Sequence, residues 1–191
     1  MMPSSSEAIR ESIKEPGTQV YVMVSGEKYL NSLSDLLVSL IRAEGRKGLL
    51  LSTIWSANAI SRRFSLSKLP KGSLKVIDTY SMNLGSAEKQ KDDFIFLPTP
   101  VSLEMILIEI ERILVNQKGE YSFLIVDSMT SMKRFFTSSQ ISEFFRYLLS
   151  RMLEEEMKVI VFDQDSQKDD ESVRKVSSVM DGLVDLSEEV D

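Results

Sequence analysis

The stretch from Tyr121 to Met132, YSFLIVDSMTSM, decides the fold of this chain. Its residues 122–126 are rich in apolar and branched side chains, as expected of a β-strand that is buried on both faces. The run ends abruptly at Asp127, which is followed by Ser128. Open α/β sheets bind their ligands at the carboxyl ends of parallel strands, so Asp127 lies where a ligand or a metal ion would be held.

Six further apolar segments are predicted to be strands: Val20–Val24, Gly48–Ser52, Leu74–Asp78, Phe94–Leu97, Lys158–Phe162 and Gly182–Leu186. Between them, apolar residues at helical spacing or capping residues predict helices from Leu30 to a C-cap at Gly45, within 56–69, and over 102–116, 139–156 and 169–181. Alternating strands and helices indicate an α/β fold, in which a mostly parallel sheet is covered by helices on both faces. We expect the strands at 20–24, 123–126 and 159–162 to be central and parallel, since their apolar character is continuous.

Length and composition limit the possible classes of protein. A chain of 191 residues is most simply one domain, here placed at residues 18–191 after an N-terminal segment, residues 1–17, with a short helix. The polar residues 80–93 are expected to form an exposed loop. The net charge of -6 argues against a general nucleic-acid binder, although it does not exclude a local basic patch.

Two residue types are absent, and their absence excludes several chemistries. The chain has no cysteine, which excludes disulfides and thiol catalysis, and no histidine, which excludes every Ser-His and Cys-His mechanism. No apolar run reaches the roughly 18 residues that span a bilayer, and the N-terminus lacks the order of a signal peptide. We therefore expect a cytoplasmic protein with no membrane partner.

Five segments, in this order, resemble the RecA-like ATPase core, most closely its archaeal KaiC-like branch. They are VYVMVSG (20–26), GLLLST (48–53), FLPTPVSLEMILIEIERIL (96–114), FLIVDSMTSM (123–132) and DGLVDL (181–186). In that family the first segment enters the phosphate-binding loop, and the fourth is the Walker B strand, whose acid holds magnesium. The resemblance covers nearly all of residues 18–186 and implies a P-loop fold that binds nucleotide between subunits of a ring or filament.

The phosphate-binding loop departs from the family's pattern, G-x-x-x-x-G-K-[ST]. With Gly26 at the first glycine, Asn31 falls at the second glycine, Ser32 at the lysine and Leu33 at the Ser/Thr. Lys28 lies in the segment, but too early to replace the missing lysine. The resemblance thus implies a degenerate Walker A motif, with Gly26, Lys28, Ser32 and Asp127 as vestigial cofactor-binding residues and Asp127 as the one candidate metal ligand.

The helix after this loop is expected to begin between Tyr29 and Ser32. We predict that Asn31 and Ser32 cap its free N–H groups with their side chains, and that Leu33 turns inward where the magnesium-binding hydroxyl would lie. Protein would then close the ancestral nucleotide pocket. The family also tends to carry a catalytic acid after its second strand, a position followed here by Ile54 and Trp55.

Each candidate residue also has a purely structural interpretation. Asp127 either retains some binding of metal or nucleotide, or accepts hydrogen bonds from nearby backbone N–H groups, and we favour the second interpretation. The turn at residues 25–28 either binds an anion at a helix N-terminus or is only a turn. Trp55 is either part of a pocket or interface or the half-buried edge of the core.

A basic and aromatic segment after the central strand is the second group of candidates. Lys133, Arg134, Phe135 and Phe136 combine charge and rings as single-strand binders do, and related enzymes place substrate or interface loops nearby. An amphipathic loop explains the segment equally well. Together with Trp55, these residues are our candidate interaction residues.

Two hypotheses of function follow. In the first, the chain is not an enzyme: it is a pseudo-ATPase without a bound cofactor, an oligomeric interaction or regulatory module that pairs with itself or with an active RecA-like relative. In the second, it binds ATP and magnesium through an altered loop, as a switch or weak ATPase. The absent lysine and Ser/Thr favour the first hypothesis, because phosphoryl transfer depends on positioning and charge stabilisation.

Overall fold

A computed structural model describes residues 5–64, 66, 69–84, 93–164 and 170–186. Its strands are β1 (Gln19–Val24), β2 (Lys47–Ser52), β3 (Leu74–Asp78), β4 (Phe94–Phe96), β5 (Tyr121–Val126), β6 (Lys158–Gln164) and β7 (Gly182–Leu186). Its α-helices are α1 (Ser5–Ser12), α2 (Tyr29–Glu44), α3 (Ala57–Arg63), α4 (Leu103–Asn116), α5 (Ser138–Glu154) and α6 (Glu171–Ser177). The prediction for residues 80–93 falls partly outside this range, because residues 85–92 are not described.

All seven strands form one parallel sheet in the order β4-β3-β2-β5-β6-β1-β7. The predicted α/β fold is therefore confirmed. The prediction that three strands are central and parallel is also confirmed: β1, β5 and β6 are parallel, and each is paired on both sides. Because β5 lies between β2 and β6, Asp127 sits at the middle of the sheet's carboxyl edge.

Helices cover both faces of the sheet. The strands alternate their side chains between two cores, as β5 shows: Leu124 and Val126 join one core, whereas Phe123 and Ile125 join the other. Helices α4, α5 and α6 pack on the first core, and α1, α2 and α3 pack on the second. Burial on both faces explains why the segments of the central strands β1, β5 and β6 are continuously apolar.

Capping residues set the ends of several helices. The side chains of Ser56, Ser102 and Asp170 accept hydrogen bonds from backbone N–H groups of α3, α4 and α6, and Thr137 forms a capping box with Gln140 at the start of α5. Gly45 ends α2 with a φ of 62°, as predicted. Helix α6 is shorter than the predicted 169–181, since Ser178 leaves the helix and residues up to 181 form turns.

The N-terminal helix packs into the second core. Ile9 and Ile13 are fully buried there, and α1 contacts α2. These contacts bury the two isoleucine side chains of the N-terminal segment.

Candidate functional site

Asp127 is sealed inside the protein at the end of β5. Its side chain is fully buried and accepts hydrogen bonds from the Ser52 hydroxyl (2.6 Å), the Thr53 backbone N–H (2.7 Å) and the Thr53 hydroxyl (2.7 Å). Ser52 is the last residue of β2 and Thr53 follows it, so these hydrogen bonds connect the carboxyl ends of two neighbouring strands, β2 and β5. Burial raises the pKa of Asp127 to about 6, although the hydrogen bonds from Ser52 and Thr53 act in the opposite direction.

This raised pKa predicts a pH dependence of stability. Folded Asp127 holds its proton up to about pH 6, whereas the unfolded carboxyl loses it near 3.8, so folding favours the protonated form. The stability that this carboxyl contributes is therefore present at low pH and is lost as the pH rises, by about 2 kcal/mol between pH 4 and 6. Urea denaturation of the parent and of Asp127→Asn at several pH values measures the difference, which isolates this group from other acids. Parallel pH profiles for the two proteins would contradict the prediction.

Asp163, in β6, is a second buried acid. It accepts hydrogen bonds from Tyr21, from the Ser128 hydroxyl (2.8 Å), and from the N–H and hydroxyl groups of Thr130, the latter at 2.6 Å. Burial raises the pKa of Asp163, against the effect of these hydrogen bonds. The sequence analysis does not include Asp163 among the candidate site residues, although it directly follows the predicted strand Lys158–Phe162. The signal was the same as for Asp127: an apolar strand that ends in aspartate.

Hydroxyl groups after β5 connect the two acids. Ser131 donates to the Thr53 hydroxyl (2.7 Å) or to the Ser128 carbonyl (2.9 Å), while Ser128 and Thr130 donate to Asp163. The residues of DSMTS thus form a continuous hydrogen-bonded network across the carboxyl ends of β2, β5 and β6. Within the described part of the chain, no three acidic side chains are grouped so that they could hold a metal ion.

The segment aligned with the phosphate-binding loop forms a tight turn into α2. The N–H groups of Lys28 and Tyr29 donate to the Ser25 carbonyl, and the N–H of Ser32 donates to the Lys28 carbonyl. Gly26 lies in this turn without a positive φ, and Lys28 is half-buried.

The helix begins at Tyr29, within the predicted range, and Leu33 is fully buried in the core as predicted. The predicted capping by Asn31 and Ser32 is wrong: the helix has no side-chain cap at its start. Both residues lie in the first turn and a half of α2. Asn31 faces solvent and Ser32 is buried, with no side-chain hydrogen bond from either among the described residues.

The candidate interaction residues separate into different environments. Lys133 forms an ion pair with Asp170, the N-cap of α6. Burial raises the pKa of Asp170, but the hydrogen bond and charge of Lys133 outweigh it, so the pKa is lowered overall. Arg134 is exposed, and no ion pair involves it in the ranges that the structure covers. Phe135 is 65% exposed, and its ring lies edge-on to that of Phe136, with 6.4 Å between centroids.

Trp55 is not part of this group. It packs on the α2 side of the sheet, edge-on to Phe64, with the Arg63 guanidinium 5.2 Å from its ring centre. Phe136 packs on the opposite side, with α4 and α5. The indole N–H of Trp55 is buried, with no hydrogen-bond partner in the described part of the chain.

Two neighbouring pockets open at the carboxyl edge of the sheet. The apolar pocket, of about 220 Å³, is lined chiefly by Pro100, Val101, Ile106, Met132, Phe135 and Phe136, together with Thr53, Thr79, Tyr80 and Ser131. The polar pocket, of about 230 Å³, is lined by Tyr29, Ile54, Ser128, Thr130, Ser131, Arg134, Asp163 and Gln164. Ser131 lines both pockets, so they are neighbours at this residue. Of the residues aligned with the nucleotide site, Gly26, Lys28, Ser32, Leu33 and Asp127 do not line the polar pocket, which reaches α2 only at Tyr29.

The seven-stranded parallel sheet with helices on both faces is a RecA-like α/β fold. The chain is similar to the crystal structure of a KaiC-like protein from the hyperthermophilic archaeon Pyrococcus horikoshii OT3, with a TM-score of 0.65 and 15% sequence identity over 93% of this chain and 76% of that one. At this identity the likeness establishes the fold alone.

The chain itself belongs to DUF7090, a family of unknown function, whose model matches residues 30–191. A search of curated proteins finds no match. None of the helices described has the length and apolar character required to cross a bilayer.

Proposed function

We propose that this chain is a RecA-like pseudo-ATPase: it does not hydrolyse ATP, and it acts as a protein-interaction or regulatory module. The observation that carries the proposal is the state of Asp127. The acid aligned with the magnesium-holding residue of the family is fully buried, and hydrogen bonds from Ser52 and Thr53 occupy both of its oxygens. Because the carboxylate has no exposed surface and its oxygens already accept these hydrogen bonds, a metal ion could reach it only if the surrounding residues moved.

The degenerate phosphate-binding loop supports the same proposal. Leu33, which aligns with the magnesium-binding Ser/Thr, is buried in the core between α2 and the sheet. Asn31 and Ser32 replace the second glycine and the lysine. A P-loop enzyme neutralises and positions the transferred phosphoryl group with the lysine, the Ser/Thr hydroxyl and the magnesium-holding acid. In this chain the first two are absent, and the acid, Asp127, accepts hydrogen bonds from Ser52 and Thr53.

We predict no ATP turnover above a protein-free blank when the purified chain is incubated with Mg-ATP. The residues that would stabilise charge on the transferred phosphate are missing, so the barrier remains close to that in water. A phosphate-release assay checks this, with Asp127→Asn as the matched control. Turnover by the parent that Asp127→Asn abolishes would overturn the pseudo-ATPase proposal in favour of a weak ATPase with an altered loop.

A thermal-shift experiment separates loss of hydrolysis from loss of binding. A ligand at about 100 times its Kd stabilises the folded state by about 2.7 kcal/mol, whereas a protein that binds no Mg-ATP shows no shift. We expect no shift, and stabilisation by Mg-ATP without turnover would instead support an ATP-binding switch.

The interaction role needs its own test. We propose that the partner is a second copy of this chain or an active RecA-like relative. Proteins of this fold assemble into rings and filaments, and a chain that has lost its nucleotide site can keep the surface that binds the next subunit. Light scattering after size exclusion, and purification from native cells, should show an oligomer or a RecA-like companion. A monomer that co-purifies with no RecA-like protein would contradict this part of the proposal.

A further inference from the structure

Helix α4 carries two large apolar side chains on its solvent face. Ile108 is 65% exposed and Val115 is 71% exposed, although the opposite face of the helix is buried in the first core. Glu104, Ile108, Glu111 and Val115 follow one another at intervals of three or four residues, so they form one narrow stripe along the helix. Apolar side chains grouped on one exposed face mark a surface for association.

Charged groups of opposite sign lie at the two ends of this stripe. Glu104 is in the first turn of α4, and Lys118 lies just past its last residue, Asn116. Both are exposed, and neither forms an ion pair within the described ranges of the chain. The acid in the middle, Glu111, is already paired with Arg151 at 2.9 Å. The stripe therefore has a free acid at one end and a free base at the other, with apolar side chains and a paired acid between them.

This order makes the stripe complementary to itself. With a rise of about 1.5 Å per residue, two antiparallel copies of α4 that cross near Glu111 bring Ile108 level with Val115 of the second copy. The same crossing brings Glu104 to within about 2 Å, measured along the helix axis, of the level of Lys118 in the second copy. A two-fold axis repeats each of these contacts. The apolar side chains of both copies then meet at the centre, with one ion pair at each end.

We infer that a second copy of the chain binds this face, forming a two-fold dimer in which the α4 helices lie antiparallel. Tyr147 of α5 borders the stripe and extends the contact, since it is 52% exposed and its hydroxyl lies 3.4 Å from Glu111 Oε1. Such an interface is small compared with those of permanent dimers, so the dimer exchanges with monomer. The inference names the surface for the self-pairing in the proposed function and rests on that part of it, but not on the loss of ATP hydrolysis.

Sedimentation equilibrium over a range of concentrations measures the dimerisation. The parent should pass from monomer to dimer between micromolar and millimolar concentration. Ile108→Lys should weaken dimerisation by about tenfold or more, because it places a charge at the centre of the contact without touching the core. Val179→Lys, at an apolar residue that is 51% exposed outside α4, is the matched control and should dimerise like the parent. A parent that stays monomeric at millimolar concentration, or an Ile108→Lys variant that dimerises like the parent, would overturn the inference.

A charge exchange tests the ends of the stripe. Glu104→Lys should weaken dimerisation about fivefold at low salt, since the two-fold axis replaces an ion pair by a repulsion at both ends. Glu104→Lys combined with Lys118→Glu exchanges the two charges, keeps the net charge of the parent and should restore its affinity. A double variant that dimerises no more tightly than Glu104→Lys alone contradicts this pairing.

Disulfide formation tests the register, because the chain has no cysteine of its own. When Ile108→Cys and Val115→Cys proteins are mixed under mild oxidation, the two new thiols meet across the interface and a linked dimer should form. In either variant alone the two thiols are about 10 Å apart along the axis, beyond the reach of a disulfide, so linkage should be slower. Faster linkage within one variant than between the two would overturn the antiparallel arrangement.

These results also separate the α4 interface from the proposed interaction role. An oligomer whose mass none of these substitutions changes would refute the interface and leave the role standing. A monomeric parent that co-purifies with an active RecA-like protein would do the same. A monomer without such a companion would contradict both.

Discussion

Replacement of Leu33 by threonine is expected to lower the free energy of unfolding by about 3 kcal/mol. Leu33 is fully buried on α2, in the core that also contains Val22 and Phe162. Threonine removes part of this packing, leaves a cavity and buries a hydroxyl. Urea denaturation of the variant measures the loss. Asp35→Thr, which puts the same residue on the exposed side of the same helix, is the control and should change stability by less than about 0.5 kcal/mol.

The same substitution is one of three that rebuild a phosphate-binding motif. Asn31→Gly, Ser32→Lys and Leu33→Thr together should open the loop for phosphate at a stability cost that comes mostly from Leu33. Crystals soaked in Mg-ATP provide the readout for binding. Two results would contradict this account: phosphate density against the unmodified loop, or a triple variant as stable as the parent.

Replacement of Gly48 by alanine is expected to destabilise the fold by about 3 kcal/mol, at the upper end of overpacking costs. Gly48 in β2 lies opposite Phe123 in β5, and an ideal Cβ at Gly48 would be 2.1 Å from the Phe123 Cζ atom. Phe123 is fully buried, so its ring cannot move away without displacing the rest of that core. Thermal or urea denaturation checks the loss.

Gly182→Ala is the matched control for this prediction, because Gly182 also lies in a strand. Its ideal Cβ would meet only Val20, at 3.9 Å, which is ordinary van der Waals contact. We expect it to retain the parent's stability within about 0.5 kcal/mol. Equal stabilities of the Gly48 and Gly182 variants would contradict the prediction, because they would show that the Phe123 ring can accommodate a Cβ atom at position 48 without cost.

The local sequence was sufficient for the architecture. Apolar runs predicted all seven strands, since the inner strands of a parallel sheet covered on both faces require apolar side chains on both sides. The edge strand β7 is the exception, because Leu183 and Asp185 on one of its faces are exposed. The helical spacing of apolar residues placed Leu33 on the buried face of α2, and the observed start at Tyr29 falls within the range expected from the alignment with the phosphate-binding loop. These features depend on residues a few positions apart, which is why sequence reasoning reached them.

The site was decided by contacts between distant segments. The hydrogen bonds of Asp127 come from residues 74 and 75 positions earlier, and Tyr21 reaches Asp163 across 142 positions. Nothing in the local pattern of a strand that ends in aspartate says which donors will surround the carboxylate, or that Tyr29 will be left without a partner. The sequence alone determined where the strands end. Only the order of the strands in the sheet decided which side chains meet there, because strand neighbours are set by packing over the whole domain.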